Sequence, residues 1–440
     1  MRASGEDAAV AEDSGGLKSW TMHPLRARVI GEVHARPFRL VETPRVVLHY
    51  AFTTTAEEAA ADLAFLGELC RTHGEPAPDR DASLHQAKIM GGTLRWERHS
   101  EFTTYTFDVA PLAGRRPFAA FDHHPFGAGF KPPGKLLVAV RLDVVREEDV
   151  PESSGGPLAF FEEVWVSASM AVEGTALIAT DFRADGDGRT RILIVDKGLH
   201  PRQSGALIQR LLEIETYRTF AVLGLPEAQR IAPDIAKIEN RLLESVETLR
   251  QSQGLSQNRE LLGELTGLSA ELEAVTAASA FRFGASWAYH EIVQQRLDAI
   301  REDPYKGYST WGAFLRRRTV PAMRTIRSIQ TRQTDLATRL GRAGDLLRTR
   351  IDVELEEQNR DLLDSMNRRA RLQLRLQQTV EGLSVAAVSY YIVGLIGYLF
   401  KGSKIFHVEV DPGILTAFAV PFVLAFVWWT VRRIRHHHEE

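Results

Sequence analysis

Side chains able to bind or react gather at few places in this chain. The densest group is Asp122-His123-His124, a carboxylate and two imidazoles at successive positions, donor types that a divalent metal takes. A closed metal site needs further ligands at matched spacing, and none stands nearby. These three are therefore candidate metal ligands set against a polar loop between Phe121 and Pro125. Gly129-Phe130-Lys131-Pro132-Pro133-Gly134-Lys135-Leu136 has the outline of a phosphate-binding loop. Leu136 stands where Ser or Thr would hold magnesium, and a strand-like run follows instead of a helix N-terminus, so the loop is rejected. Asp185 and Asp187 offer carboxylates for calcium but lack an EF-hand acceptor pattern, and Ala184-Asp185-Gly186-Asp187-Gly188 reads as a hairpin turn. His290-Glu291 has no second His four residues after the first, and no Gly-x-Ser-x-Gly elbow occurs. Cys70 stands alone, which excludes an intrachain disulfide and a Cys-rich zinc site. The sequence predicts no catalytic residue, no cofactor and no enzyme activity.

Two further groups are set by spacing. His23-Pro24-Leu25-Arg26 and Glu32-Val33-His34-Ala35-Arg36-Pro37-Phe38 bring His, Arg and Glu together. They read either as a buried polar network or ligand site, or as a segment tying the N-terminus to the first domain. Near the C-terminus, Ser384, Ala387, Tyr391, Gly394 and Tyr398 recur at steps of three and four, so they share one side of a helix. Small and hydroxylated residues so aligned suit a pore wall or a close helix-packing face. Glu381 stands just before them and would form an acidic ring in an oligomer.

These residues lie within or beside one of two uncharged runs, residues 382–400 and 413–431, each 19 residues long. At the helical rise each covers roughly 28 Å, the hydrocarbon thickness of a bilayer. Tyr398, Phe400, Trp428 and Trp429 sit at run ends, where an interfacial belt is expected. Arg368, Arg369, Arg371 and Arg375 precede the first run, and Arg432, Arg433 and Arg435 follow the second. The joining loop 401–412 balances Lys401 and Lys404 against Glu409 and Asp411. Positive flanks stay inside, so both termini are expected on the cytoplasmic side of the membrane. No basic and apolar N-terminal segment reads as a signal peptide.

The expected organisation is α+β followed by long helices and a C-terminal two-helix transmembrane hairpin. Residues 1–22 form a polar leader, 23–200 an α/β domain, 201–318 a helical region, 319–381 a stalk helix, 382–431 the hairpin and 432–440 a basic, His-rich tail. Strands are expected over 45–52, 92–98, 102–109 and 135–145, with a hairpin over 175–196. Helices are expected over 56–73, about 201–224, 227–253 and 258–302. No proline occurs between Pro321 and Pro412, so a helix starting near Pro321 can run unbroken into the first span, about 120 Å to Phe400.

The stalk carries an apolar stripe: Leu336, Leu340, Ala343, Leu347, Ile351, Leu355, Leu362, Met366, Ala370, Leu376, Val380 and Leu383. Its period is about 3.6, that of a straight helix, and so long a stripe calls for partners, most simply copies of itself. Between Arg316 and Arg375 the stalk holds 15 arginines and 8 carboxylates. The chain as a whole is formally -3, which excludes a protein polybasic throughout. No aromatic residues interleave with the stalk arginines, so nucleic acid is not an expected partner; the lipid bilayer is, and the last four arginines suit anionic head groups.

His34-Ala35-Arg36-Pro37-Phe38, Leu211-Leu212-Glu213-Ile214-Glu215-Thr216-Tyr217-Arg218 and Pro321-Ala322-Met323-Arg324-Thr325 resemble motifs of a bacterial "domain of unknown function" family of membrane-anchored proteins. That resemblance covers nearly the whole chain, implies a place in the bacterial inner (cytoplasmic) membrane and implies no activity. In layout the chain resembles the CorA-type divalent-cation channels, which implies a pentamer with the first span lining a pore. Where that family carries Gly-Met-Asn after its first span, this chain reads Gly397-Tyr398-Leu399-Phe400-Lys401-Gly402. No Asn is available there to hold a hydrated cation. The expected function is ion or small-solute transport by a homo-oligomer; the alternative is a non-conducting membrane-anchored scaffold or sensor.

Overall fold

The computed structural model describes residues 21, 23–26, 29–30, 39–112, 114–150, 156–161, 165–252, 254–402 and 411–437. The segment His34-Ala35-Arg36-Pro37-Phe38 and Lys404 lie outside the described residues. The fold is mixed α+β, with a nine-stranded sheet, long helices and a C-terminal apolar helix pair. Two compact units share the chain: Met1–Arg241 with Leu268–Arg339, and Leu242–Gly267 with Leu340–Glu440.

The first unit is built on the sheet, in strand order β2-β3-β4-β1-β5-β8-β7-β6-β9. The strands are β1 (Arg45–Thr53), β2 (Leu84–Ile89), β3 (Gly92–Arg98), β4 (Phe102–Val109), β5 (Lys135–Arg146), β6 (Ser167–Ala171), β7 (Ala176–Ala184), β8 (Thr190–Asp196) and the two-residue β9 (Asp303–Pro304). Only β5 and β8 run parallel; the other neighbours are antiparallel. Strand alternation sorts the core. On β1, Val46, Leu48, Tyr50 and Phe52 join Trp96, Tyr105 and Phe107 under helix α1 (Ala56–Thr72), while Val47 and Ala51 point the other way. A capping box starts α1: Thr55 accepts from the Glu58 amide and the Glu58 carboxylate accepts from the Thr55 amide.

The opposite face is covered by α2 (Pro201–Val222), whose Leu207, Leu211 and Ile214 pack with Val140, Leu142 and Ile192. Pro201 opens α2 where a missing N–H costs nothing, and His200 with Gln203 caps it. Sequence reasoning stops that helix at Gly224. Helix α3 (Gly224–Gln251) in fact resumes there, with Pro226 in its first turn where no intrahelical donor is lost. Helix α4 spans Leu255–Ile300 and α5 spans Trp311–Gly402. The start of α5 lies ten residues before Pro321. The Glu302 carboxylate accepts from the amides of Trp311 and Gly312 at 2.9 and 2.7 Å, and so caps the helix earlier than the proline suggests. Strands β2 and β6 were not expected: LHQAKI and SASMA are poor in β-branched residues, and neighbouring strands hold them in the sheet.

In the second unit the end of α3 and the start of α4 pack against α5. Arg350 donates to the carbonyls of Leu249 and Ser252 at 2.9 and 2.7 Å, satisfying the open C-terminal end of α3. Buried Asn258 donates to Glu354 at 3.0 Å and accepts from the Ser252 hydroxyl at 2.9 Å. Helix α6 (Pro412–His437) closes the described chain.

Candidate functional site

The stripe on α5 divides sharply. Leu340, Ala343, Leu347 and Ile351 are buried within the second unit. From residue 356 to residue 380 every residue is exposed, Leu362, Met366, Leu376 and Val380 by more than half. Beyond, Glu381, Val385, Ser389, Ile392, Val393, Ile396 and Gly397 are shielded wholly or in part. Gly397 lies 3.5 Å, at an added Cβ, from Thr416 of α6, and Val423 and Val427 are buried on α6. Ser384, Ala387, Tyr391, Gly394 and Tyr398 all fall on exposed positions, and Lys401 is exposed too, its ammonium 5.8 Å from the Tyr398 ring. Glu381 and Ser384 border a groove of about 520 Å³ whose far wall is Val427 and Val431. Among the described residues, two helices are long and apolar enough to cross a membrane, Trp311–Leu399 and Gly413–Arg433.

The other expected ligands are accounted for locally. His124 Nδ1 accepts from the Phe126 amide at 3.1 Å, and burial holds the ring below the usual imidazole range, with Arg189 adding to the effect. Asp122 and His123 line no converging set: among the described residues no three His, Cys, Asp or Glu side chains gather as metal ligands. The Asp185 carboxylate accepts from the amides of Asp187 and Arg189 at 2.9 and 3.0 Å, which makes it the brace of the β7–β8 turn. Gly134 lies with positive φ against the Thr53 carbonyl, and β5 begins at the next residue.

A polar cleft that sequence reasoning missed lies in the first unit. Strand pairing puts Arg95, Thr106 and His49 side by side on β3, β4 and β1, and Thr93 beside Asp108 one row away. Helix α2 roofs them with Ile208, Gln209, Leu212, Glu213, Thr216 and Tyr217, enclosing about 90 Å³. Arg39 enters from the preceding segment, and Gly205 permits it: a Cβ there would sit 1.8 Å from the Arg39 carbonyl oxygen. The charges are paired. Arg39 binds Asp108 and donates to Thr93 at 3.0 Å, Arg95 donates to Glu97 from Nε at 2.8 Å and from Nη2, and Arg296 binds Glu213.

His49 joins sheet to helix. The Thr216 hydroxyl donates to the Leu212 carbonyl at 2.8 Å, so it can only accept from His49 Nε2, at 2.9 Å. His49 Nδ1 must then accept from Thr106, at 2.8 Å. One tautomer, neutral with Nε2–H, satisfies all three groups. Burial pushes the His49 pKa down to about 4, so the ring is a neutral tie near pH 7 and its lone pair is occupied. The available signal was the run of Thr104, Thr106 and Asp108 against His49 between Val47 and Ala51, all on the face that α2 covers.

Residues 21–438 match a family model described as "Protein of unknown function (DUF3422)". No curated protein and no solved structure matches the chain.

Proposed function

We propose that this chain, which belongs to the DUF3422 family, is a homo-oligomeric inner-membrane protein of CorA-like build, a pentamer with both termini in the cytoplasm. Its first spans surround a common axis and pass an ion or small solute. The observation that carries this reading is the bare length of α5. An uninterrupted helix leaves Leu362, Met366, Leu376 and Val380 uncovered and continues into the uncovered Ser384, Ala387, Tyr391, Gly394 and Tyr398 side. Each apolar side chain removed from water contributes about 1.5–3 kcal/mol, and copies of the same helix present the same stripe at the same height. The basic flanks at Arg368–Arg375 and Arg432–Arg433 favour cytoplasmic ends for both spans.

A second reading, a non-conducting scaffold or sensor anchored in the membrane, is favoured by Lys401 at the outer end of the first span, where a cation filter would need neutral or acidic oxygen donors. Reconstitution of the full chain in liposomes separates the two. Magnesium, potassium and chloride flux are followed alongside native mass spectrometry of the oligomer. Flux that falls in Tyr391→Trp supports transport. Intact oligomers that pass none of the three solutes support the scaffold, and a monomer in membranes overturns both the pentamer and the pore.

A further inference from the structure

We infer that the cleft between α2 and the sheet is a binding site for a small uncharged alcohol. This goes beyond the membrane reading and does not depend on it, since every group involved belongs to the first unit.

Charge is the first argument. Each of the three carboxylates in the lining is held by a guanidinium: Asp108 by Arg39, Glu97 by Arg95 and Glu213 by Arg296. These pairs are closed within the subunit. A further ion of either sign would be taken out of water without a counter-charge, and an uncharged molecule avoids that cost.

Hydrogen bonding is the second. Thr104 is only 3% exposed, yet its hydroxyl has no partner among the described residues. Strand alternation puts it on the face of β4 that α2 covers, between Phe102 and Thr106. The neighbouring hydroxyls are committed, Thr106 to His49 and Thr216 to Leu212 and His49. Directly across the β3–β4 pairing from Thr104 stands Glu97, at a spacing where side chains meet. Arg95 spends Nε and Nη2 on Glu97 Oε1. Glu97 Oε2 lies 3.8 Å from His99 Nε2 and takes no hydrogen bond among the described residues. A free hydroxyl and a spare carboxylate oxygen thus stand side by side. One alcohol hydroxyl serves both, accepting from Thr104 and donating to Glu97. A carbonyl oxygen could only accept, and would leave Glu97 Oε2 unmet.

Size and lining are the third. An apolar cavity of about 150 Å³ holds benzene, with its six heavy atoms. At about 90 Å³ this cleft takes on the order of four or five, the size of a three-carbon alcohol or diol. Val47, Phe102, Ile208 and Leu212 give those carbons an apolar wall, which water alone would leave unmatched.

Saturation-transfer NMR on the purified full chain tests this with propan-1-ol and propane-1,2-diol as probes. Propanoate and propylammonium, which have the same carbon chain and opposite charges, serve as comparisons. At least one of the alcohols is expected to bind, tenfold or more tightly than either ion. Thr104→Val keeps the shape of the side chain and removes the hydroxyl. Because that hydroxyl has no partner in the fold, the variant is expected to melt no lower than the unaltered chain and to bind tenfold or more weakly. Thr104→Ser, which keeps the hydroxyl, is expected to bind nearly as the unaltered chain does. If Thr104→Val does not fold by circular dichroism, Gln209→Trp narrows the cleft from α2 without altering Thr104 or Glu97 and is expected to abolish binding. The inference is overturned if neither alcohol binds the unaltered chain, if propanoate or propylammonium binds as tightly, or if a folded Thr104→Val or Gln209→Trp variant binds as the unaltered chain does.

Discussion

Under α2, polar groups are sealed in: His49, Thr104, Asp108 and Thr216 are all less than a tenth exposed, and each faces a partner or the cleft. Along residues 356–380 of α5 the reverse holds, and leucines stand exposed beside arginines on a stretch that no described residue covers. In the first region the chain supplies its own cover, and the hydrogen bonds are closed within one subunit. In the second the local pattern is that of a buried helix, yet the described residues of the subunit leave it exposed. A buried polar group must find a partner inside the fold, whereas a bare apolar stripe can find one in another molecule.

Breaking the covered part of the stripe gives the largest expected effect. Leu347 is fully buried, and Leu347→Ala should destabilise the second unit by about 2–5 kcal/mol, read as a lowered Tm or denaturation midpoint. Next comes the sealed imidazole. Its folded pKa of about 4 lies below the unfolded value near 6.5, so the unfolded chain takes up the proton first. The stabilising difference is complete above pH 6.5, declines as pH falls towards 4 and is then exhausted, a loss on the order of 3 kcal/mol. Denaturation midpoints measured from pH 7 to 4 should therefore fall more steeply in the unaltered chain than in His49→Gln. Smallest is the bare stripe: Leu376→Ala should change the Tm of the dissociated subunit by no more than about 0.5 kcal/mol equivalent while weakening self-association measurably by analytical ultracentrifugation. Equal losses for Leu347→Ala and Leu376→Ala in the dissociated subunit would erase the contrast between the two regions.

Much of the element pattern is legible along the chain. The apolar run Val46 to Phe52 reads as a strand, and the uncharged runs near the C-terminus announce the apolar helix pair. Strand β6 escaped because Ser167-Ala168-Ser169-Met170-Ala171 has no intrinsic strand preference and is held by β7 and β9. The cleft escaped for a different reason. Arg39, Arg95, Asp108 and Glu213 are far apart in sequence and carry no shared spacing; only the β3–β4–β1 register and the approach of Gly205 to Arg39 bring them together. The Asp122-His123-His124 cluster shows the converse: adjacent ligand types, used here for a backbone contact at His124 and nothing convergent.

The chain alone determined that α5 is a helix with one apolar side, that one uncharged run ends it and that a second follows, because periodicity and hydropathy are local properties of neighbouring residues. Which of Leu347 and Leu376 is covered was decided by the tertiary structure. Both occupy the same stripe with the same side chain, and burial depends on whether a distant segment, here the junction of α3 and α4, reaches that turn of the helix.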